Sequence, residues 1–242
     1  MIEIRHSNMH DTEDTHAAYN QLYRGAGILL RDSFYLWLLD LLKPDPGQLL
    51  LDVSCGQGRL VKFAREKGLL AMGMDFAEEA VCIGLADSPQ SDWAVADGEC
   101  LPLRDACVDY VTHIGSLEHY QNPEAGMREI ARVLKPSGVA CVLLPNSYGL
   151  FGNIKHVWQT GHVFDDGHQP LQRYNTRGGW HDMLMANGLK TFRTHKYERE
   201  WPRTWADLGW YLTKPAKIAR LFVAWFVPTN LANCLVYLCR RP

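Results

Sequence analysis

The chain has 242 residues, 47% of them hydrophobic, and a formal net charge of −2 at pH 7. This length and apolar content predict a single domain with ample sequence for a buried core, and the net acidity argues against a nucleic-acid partner. Residues 1–16 are polar and carry acids, unlike a signal peptide, and no apolar run approaches the length that spans a bilayer, so we expect a cytoplasmic protein.

An amphipathic helix is predicted ahead of the first strand. Its apolar residues recur at helical spacing, and they are Ile28, Leu30, Phe34, Trp37, Leu38 and Leu41. Pro44 and Pro46 stop this pattern, so the helix is expected over residues 27–43. We expect residues 1–47 to form a helical cap that packs against the core that follows.

The first predicted strand runs into a turn marked by two glycines. Residues 49–60 read LLLDVSCGQGRL, in which the apolar strand ends at Asp52 and is followed by Gly56 and Gly58. Because glycine lacks a Cβ, the backbone can turn sharply there and approach a ligand closely before the next helix starts. The pattern predicts a cofactor site, and a tight turn without a ligand is the alternative.

Two acidic residues follow the next two predicted strands. The strand over residues 69–74 ends at Asp75, and the strand over residues 93–96 ends at Asp97. Parallel sheets bind ligands at the carboxyl ends of their strands, where a carboxylate can accept hydrogen bonds from both hydroxyls of a ribose. Asp75 also suits a second role, as the N-cap of the next helix.

Strands and helices alternate along the rest of the chain. Further strands are predicted over residues 108–114, 189–197 and 231–239, and helices over residues 59–67, 77–86, 123–134 and 176–187. Asn122 is expected to cap the third of these helices, and Asn175 or Thr176 the fourth. This alternation predicts an α/β fold with a doubly wound, mostly parallel sheet.

These motifs resemble those of class I S-adenosylmethionine-dependent methyltransferases. The pattern Asp52-x-x-x-Gly56-x-Gly58 resembles the family's first motif, with Ser54 where the family usually has glycine. Residues 96–103, ADGECLPL, resemble its adenine-contacting segment. Residues 115–146, GSLEHYQNPEAGMREIARVLKPSGVACVLLPN, resemble the stretch between the fourth and fifth strands of the small-molecule enzymes, among them the quinone and natural-product methyltransferases.

The resemblance implies a Rossmann-like, seven-stranded sheet whose last two strands form an antiparallel pair. It also implies that residues 48–146 bind S-adenosylmethionine. The expected cofactor contacts are Asp52, Ser54, Gly56, Gly58, Asp75, Phe76, Asp97, Gly98 and His113. In the family pattern, Asp75 accepts from the ribose, Asp97 accepts from the adenine amine, and a backbone carbonyl near His113 receives the ammonium group. Phe76 either stacks on adenine or packs at the start of the next helix.

The same resemblance implies an enzyme that transfers a methyl group, by in-line displacement, to oxygen, nitrogen or carbon of a small hydrophobic metabolite or lipid. Residues 113–116, HIGS, replace the Asn-Pro-Pro-Tyr type of motif that nucleobase and glutamine methyltransferases carry. His119 is the first candidate for a general base, and the other catalytic candidates are Tyr120, Tyr148, His156 and His162.

Two other functions stay open. Ser54 in the place of a glycine suggests a cofactor-binding partner protein without catalysis. An NAD-dependent oxidoreductase would share the glycine turn and Asp75, but Val61 stands where the dinucleotide fingerprint has its third glycine.

One segment beyond the minimal fold follows the fifth strand. Residues 147–175 are expected to form a substrate lid. His156, His162 and His168 lie six residues apart in it, near Asp165 and Asp166, and this spacing matches no compact metal-binding motif. We therefore predict no metal site and expect these histidines to bind substrate, cap turns or act as bases.

A second such segment, residues 201–228, interrupts the C-terminal part of the sheet, residues 176–242. Residues 190–242 contain ten Lys or Arg against three acids. Ile218, Leu221, Phe222 and Trp225 recur at helical spacing beside lysines and an arginine, which predicts a basic amphipathic helix. We expect this helix to pack on the sheet. Contact with an anionic membrane surface and recognition of an acidic substrate are the alternatives.

Overall fold

The computed structural model describes residues 1–5, 12–25, 27–165, 167 and 169–242, with the side chains of the first helix described from His16 onward. Its strands are β1 (Ile2–Arg5), β2 (Leu49–Val53), β3 (Leu70–Asp75), β4 (Asp92–Val95), β5 (Val108–Ile114), β6 (Leu134–Pro145), β7 (Leu171–Tyr174), β8 (Lys190–Tyr197) and β9 (Cys234–Arg240). Its helices are α1 (Thr12–Arg24), α2 (Asp32–Leu42), α3 (Arg59–Glu66), α4 (Glu78–Asp87), α5 (Pro123–Val133), α6 (Lys155–Thr160), α7 (Arg177–Ala186), α8 (Trp205–Leu212) and α9 (Pro215–Phe226). Among the described residues, no helix has both the length and the apolar character needed to cross a bilayer.

Seven strands form the central sheet, in the order β4-β3-β2-β5-β6-β9-β8. Strand β2 pairs in parallel with β3 and β5, and β9 lies antiparallel between β6 and β8. The predicted Rossmann-like fold with an antiparallel C-terminal pair is confirmed. The chain extends the sheet first to one side of β2 and then to the other, so the carboxyl ends of β2 and β5 border the crevice where such sheets bind ligands.

Helices cover both faces of the sheet. On one face, the side chains of Met127 and Ile130 from α5 and of Trp180 from α7 are fully buried against the sheet. On the other face, Phe34 from α2 and Leu60 from α3 are buried in a second cluster. The apolar strands predicted from sequence are therefore covered on both sides, as expected for a parallel sheet.

Asn122 caps α5 as predicted, and of the two residues proposed as the cap of α7 the structure selects Thr176. The side-chain oxygen of Asn122 accepts a hydrogen bond from the amide of Ala125 at 3.1 Å. The hydroxyl of Thr176 accepts one from the amide of Gly179 at 3.0 Å. Each cap satisfies a backbone donor that the first turn of a helix leaves without a partner.

Helix α2 is shorter than the helix predicted over residues 27–43. It begins at Asp32, because Arg31 has an extended backbone and the amide and hydroxyl of Ser33 both donate to the carboxylate of Asp207, at 2.8 and 2.5 Å. Ile28 and Leu30, which belong to the predicted apolar face, are each 46% exposed. The end of the helix was predicted correctly to within one residue.

The last strand begins later than predicted. β9 starts at Cys234 rather than at residue 231, because the side chain of Asn146 donates to the carbonyls of Asn230 and Ala232, at 2.9 and 2.8 Å. Those carbonyls are consequently directed to a side chain instead of to a neighbouring strand.

A small second sheet joins the N-terminal cap to the lid segment. Strand β1 pairs antiparallel with β7, with Ile2 opposite Tyr174. Arg173 of β7 is 4% exposed, pairs with Glu3 at 2.8 Å and donates to the carbonyl of Tyr120. Residues of the N-terminal cap and of the lid segment thereby hold the loop that follows β5.

The helix predicted within residues 201–228 forms as α9, after a shorter helix α8, but only part of the predicted apolar face is buried. Leu221 and Ala224 are buried, whereas Phe222 and Trp225 are 58% and 74% exposed. Lys196 of β8 donates to three backbone carbonyls at the end of α9, at distances of 2.7 to 3.0 Å. These hydrogen bonds and the burial of Leu221 fix the rotation of the helix.

Candidate cofactor and active site

A cavity opens at the carboxyl ends of β2 to β5 and encloses about 880 Å³ when its open mouth is counted. This volume is in the range of sites that bind small molecules. Of the residues predicted to form the site, those that line the cavity are Ser54, Asp75, Phe76, Asp97, Gly98, His119 and Tyr120. The structure thus brings together side chains from four separate strand ends.

The glycine turn is held from two sides. Gly56 and Gly58 have φ angles of 52° and 69°, in the left-handed region that favours glycine. A Cβ on Gly58 would lie 2.0 Å from the ring of Trp93, so this glycine is also required for packing. A Cβ on Gly56 would lie 2.9 Å from the hydroxyl of Tyr23 on α1. Packing against Trp93 therefore requires a glycine at position 58, whether or not the turn also contacts a ligand.

The backbone of Ser54 adopts a conformation that is rare for residues other than glycine. Its φ angle is 53°, which costs an L-residue roughly 1–2 kcal/mol. Its hydroxyl lies 2.7 Å from the hydroxyl of Tyr120, which in turn lies 2.9 Å from Nε2 of His113. The serine that departs from the family motif is therefore tied to a buried hydrogen-bonded chain.

Tyr120 and His113 are both neutral in this series of hydrogen bonds. Burial lowers the pKa of His113 to about 3 and raises the pKa of Tyr120 well above its ordinary value, so neither is ionised near neutral pH. His113 is fully buried and its side chain lies behind Tyr120 instead of lining the cavity. A phenol that keeps its proton serves here as a hydrogen-bonding bridge.

Asp75 fastens the glycine turn to the start of α4. It is 3% exposed, and its two oxygens accept from the amides of Gly56 and Ala77, at 2.8 and 2.9 Å. Burial raises its pKa to about 6. Asp75 is among the residues that line the cavity, and a carboxylate can accept more hydrogen bonds than these two.

Asp52 lies outside the cavity. It is 4% exposed, and the hydroxyl of Thr112 on the neighbouring strand β5 donates to it at 2.6 Å. Burial raises its pKa to about 7. In this structure Asp52 therefore links two strands beneath the turn.

Asp97 and Phe76 both line the cavity, and Phe76 does so beside α1. The exposed carboxylate of Asp97 accepts from the amide of Glu99 at 2.9 Å. The ring of Phe76 packs edge-on against Tyr19 and His16, with centroids 5.1 and 4.7 Å away. Phe76 thus borders the cavity while it also contacts the covering helix.

His119 lines the cavity, and a hydrogen bond to the backbone fixes the tautomer of its ring. Its Nδ1 lies 2.5 Å from the carbonyl oxygen of Leu171 on β7, and because a carbonyl only accepts, Nδ1 carries the proton. In the neutral imidazole, Nε2 therefore holds the lone pair. Nε2 lies 3.8 Å from Oε1 of Glu118, a buried carboxyl whose pKa is raised to about 8 by burial.

Three other predicted catalytic residues lie away from the cavity. Tyr148 is 56% exposed, His156 packs edge-on against Phe164 at 5.4 Å, and His162 is exposed. His168 and Asp166 fall outside the described residues. In the part of the chain that the structure describes, no cluster of three or more His, Cys, Asp or Glu side chains could hold a metal ion.

Helix α1 contributes residues that sequence reasoning missed. Tyr19, Tyr23 and His16 line the cavity, and the hydroxyl of Tyr19 donates to Gln169 of the lid segment at 3.0 Å. The three are spaced at i, i+3 and i+7, a helical period that could have predicted a single face directed toward the core. Glu99, which accepts from the amide of Asn122 at 2.9 Å, was also missed.

Residues 51–142 match the family described as the methyltransferase domain. This segment contains the glycine turn, both strand-end acids and His119. Residues 51–142 are therefore similar to the domain of class I, S-adenosylmethionine-dependent methyltransferases.

Curated relatives match the same part of the chain. A demethylmenaquinone methyltransferase of Renibacterium salmoninarum is 31% identical over 113 residues, which is 47% of this chain and 47% of the relative. A ubiquinone biosynthesis O-methyltransferase of Idiomarina loihiensis is 32% identical over 98 residues, which is 38% of this chain and 40% of the relative. The matched regions thus span less than half the length of either relative.

Solved structures share the fold over nearly the whole chain. A complex of the Haloferax volcanii Trm112 methyltransferase activator with a putative methyltransferase gives a TM-score of 0.67 at 19% identity, over 93% of this chain and 97% of the other. Magnesium protoporphyrin IX methyltransferase of Synechocystis, solved with bound S-adenosylhomocysteine, gives 0.58 at 16% identity, over 98% and 90%. At such identities the likeness establishes the fold and no more.

Proposed function

We propose that the chain transfers the methyl group of S-adenosylmethionine to an oxygen, nitrogen or carbon atom of a small hydrophobic acceptor. One observation carries this proposal. Beside a segment that matches a methyltransferase domain, a cavity at the strand-order reversal is lined by the residue after β2, by the acids at the ends of β3 and β4, and by His119, whose Nδ1 carries the proton.

The cavity residues suit the cofactor. S-adenosylmethionine supplies an electrophilic methyl group on a sulfonium and leaves as a neutral thioether. Asp75 would accept from the ribose hydroxyls, Asp97 would accept from the adenine amine, and Phe76 would contact the adenine ring. The turn at Ser54 would lie against the amino-acid end, together with the backbone after β5, where Gly115 lines the cavity.

The acceptor is proposed to be a ring with an acidic hydroxyl or carbon, as in a quinol precursor. Aromatic side chains from three parts of the chain, Tyr19, Tyr23, Phe76 and Tyr120, line the cavity and favour an apolar or aromatic guest. The names of the two curated relatives, which concern menaquinone and ubiquinone synthesis, agree with this class.

His119 would remove the proton of such an acceptor. Nδ1 donates to the Leu171 carbonyl and fixes the ring, so Nε2 is the atom that takes the proton. A positioned base typically contributes about 10²–10⁴-fold to the rate. Helix α1 and the Tyr19–Gln169 hydrogen bond cover the cavity and would limit the entry of water.

Calorimetric titration of the purified chain with S-adenosylmethionine, S-adenosylhomocysteine and NAD tests the cofactor. We expect micromolar binding of both sulfur ligands and none of NAD. Asp97→Ala should weaken binding about tenfold, whereas Asp105→Ala, a change of a surface acid paired with Arg132, should not. Binding of NAD alone would replace the proposal with an oxidoreductase.

Transfer of a labelled methyl group to a panel of phenols, catechols and quinols tests the activity. His119→Gln should lower kcat about 10²-fold or more and leave cofactor affinity unchanged. Tight cofactor binding without transfer to any acceptor would instead favour a cofactor-binding partner protein. Unchanged kcat in His119→Gln would remove His119 from the reaction.

A further inference from the structure

The outward face of α9 is apolar. Its exposed positions include Ala216, Ala219, Phe222, Val223 and Phe226, and Phe226 is 87% exposed. A helix that packs on a soluble protein normally presents polar residues to solvent on this side. The face opposite the buried Leu221 is therefore unusual and calls for a partner.

Helix α8 extends this surface. Trp205 is 87% exposed and Leu212 is 68% exposed. Trp225, on the flank of α9, is 74% exposed, and the ring of Phe222 packs edge-on against Trp201 at 5.3 Å. We call the exposed faces of residues 205–212 and 216–226 the α8–α9 surface. Its protruding residues are large, and two of them are tryptophan, which favours the boundary between lipid and water.

Within residues 190–242, the segment that carries the α8–α9 surface, the exposed charge is positive only, and Asp40 from outside this segment pairs with Arg203. Residues 190–242, all of which are described, contain three acids, and these are Glu198, Glu200 and Asp207. Each is at most 8% exposed and each has a partner: Glu198 binds Asn233, Glu200 binds Tyr197, and Asp207 binds Arg31 and Ser33. The exposed Lys and Arg residues of the same segment, which are Lys190, Arg193, Arg203, Lys214 and Arg240, therefore have no exposed acid from that segment among them.

Several of these cations crowd together beside α9. The pKa of Lys217 is lowered, first by the charge of Arg199 and then by partial burial and by Arg220, Lys214 and Lys155. The ammonium group of Lys214 lies 4.6 Å from the ring centre of Trp210, and the guanidinium of Arg220 lies 4.9 Å from that of Phe151. Like charges held together in this way raise the local positive potential, which an anionic surface would relieve.

We propose that the α8–α9 surface docks on an anionic lipid bilayer. Phe222, Phe226 and Trp225 would enter the region between headgroups and acyl chains, and the flanking lysines and arginines would meet lipid phosphates. A convex apolar helix face flanked by cations is the arrangement of helices that lie in the membrane interface. The absence of exposed acids in residues 190–242 supplies the charge complementarity.

The same surface leads toward the cavity. Ile28 lines the cavity, and it begins an exposed apolar run, Ile28 to Leu30, that ends at Arg31. Arg31 lies 3.4 Å from the ring centre of Trp210 on α8 and pairs with Asp207 at 3.1 Å. Three residues span at most roughly 11 Å, so the cavity mouth is close to α8. Docking would therefore place the mouth near the membrane, where a lipid-soluble acceptor collects; this last step alone rests on the proposed function.

Vesicle flotation with the full chain tests the docking independently of methyl transfer. The probes are vesicles of phosphatidylcholine mixed with phosphatidylglycerol, and vesicles of phosphatidylcholine alone. We expect the chain to float with the anionic vesicles and to bind less as salt rises. Phe222→Ser with Phe226→Ser should lower vesicle binding on the order of 100-fold. Lys214→Glu with Lys217→Glu should lower binding to the anionic vesicles only.

Phe192→Ser is the matched control, because Phe192 is 49% exposed on β8, outside the α8–α9 surface. It should bind vesicles like the unchanged chain. Thermal unfolding of all variants, followed by circular dichroism, should give unchanged midpoints and show that lost binding is not lost folding. The proposal is overturned if the unchanged chain stays with the soluble fraction, or if Phe192→Ser loses binding equally. It is also overturned if lipid-free sedimentation shows a dimer that Phe222→Ser with Phe226→Ser dissociates.

Discussion

Tyr120→Phe is expected to destabilise the protein although it leaves almost all of the side chain in place. The hydroxyl of Tyr120 is the only atom lost, and it bridges Nε2 of His113 at 2.9 Å and Oγ of Ser54 at 2.7 Å. The phenylalanine ring still fills the space beside Gly98 and Gly126, where an added Cβ would meet Tyr120 within 2.7 Å. The change therefore isolates the hydrogen bonds from the packing.

The expected loss in the free energy of unfolding follows from the polar atoms that Tyr120→Phe leaves without a hydrogen-bond partner. His113 is fully buried, and its Nδ1 has no hydrogen-bond partner among the described residues, so removing the partner of Nε2 leaves the whole imidazole unsatisfied. Leaving a buried polar group unpaired costs about 1–3 kcal/mol. Ser54 lines the cavity, where water can replace the lost contact, so its share is smaller. We expect a loss of about 2–3 kcal/mol in the free energy of unfolding.

Urea unfolding followed by tryptophan fluorescence measures this loss. Ser54→Ala, alone and combined with Tyr120→Phe, tests the bridge. Because both changes remove the same hydrogen bond between Ser54 and Tyr120, their effects should fall short of additivity by about 0.5–1.5 kcal/mol. Tyr110→Phe is the control and should cost less than Tyr120→Phe, since within the described residues the hydroxyl of Tyr110 accepts a single hydrogen bond, from the amide of Asp45 at 3.3 Å. A loss below about 0.5 kcal/mol for Tyr120→Phe, or full additivity with Ser54→Ala, would refute the reasoning.

Three further predictions concern single side chains. The pKa of Glu118 is raised by burial from 4.5 to about 8, so the folded chain keeps a proton that the unfolded chain loses, and stability falls as pH rises through this window. In Glu118→Gln, the free energy of unfolding should therefore depend less steeply on pH between about pH 6.5 and 8, by up to about 1.4 kcal/mol per pH unit. Urea unfolding at several pH values measures this slope, and a slope equal to that of the unchanged chain would contradict the prediction. Asp207→Ala removes the acceptor of three hydrogen bonds from Arg31 and Ser33, and it should lower the free energy of unfolding by about 2–4 kcal/mol. The surface control Asp105→Ala should lower it by less than about 0.5 kcal/mol. Equal losses in the two variants would show that these hydrogen bonds do not hold α8. Asn122→Ala should cost about 1 kcal/mol through the lost cap of α5, and Asn122→Asp should restore most of it; no loss in the alanine variant would exclude the cap.

The sequence alone determined the elements whose causes are local. The apolar run of residues 108–114 predicted β5 with its observed bounds, and Asn122 and Thr176 marked the starts of α5 and α7. Capping and strand formation depend on neighbours within a few residues, which the sequence shows directly. The acids at strand ends were located by the same reasoning, because parallel strands bring their carboxyl ends to one edge.

The tertiary structure decided which of these residues share the cavity. Asp52 and Asp75 both end apolar strands, yet Asp52 bonds to Thr112 beneath the turn, whereas Asp75 lines the cavity. Nothing in the local pattern separates the two, because the difference depends on the neighbouring strand. The pairing of β1 with β7, which supports the loop of His119 and Tyr120, likewise joins segments about 170 residues apart.

The rotation of α9 about its axis also could not be predicted from the sequence. Its apolar residues occur on more than one side, so periodicity alone could not tell which side would be buried. Lys196 on β8 and the burial of Leu221 settle this, and they leave Phe222 and Phe226 toward solvent. Helical spacing determines which residues lie together on a face, whereas the contacts made by the rest of the chain determine which face is covered.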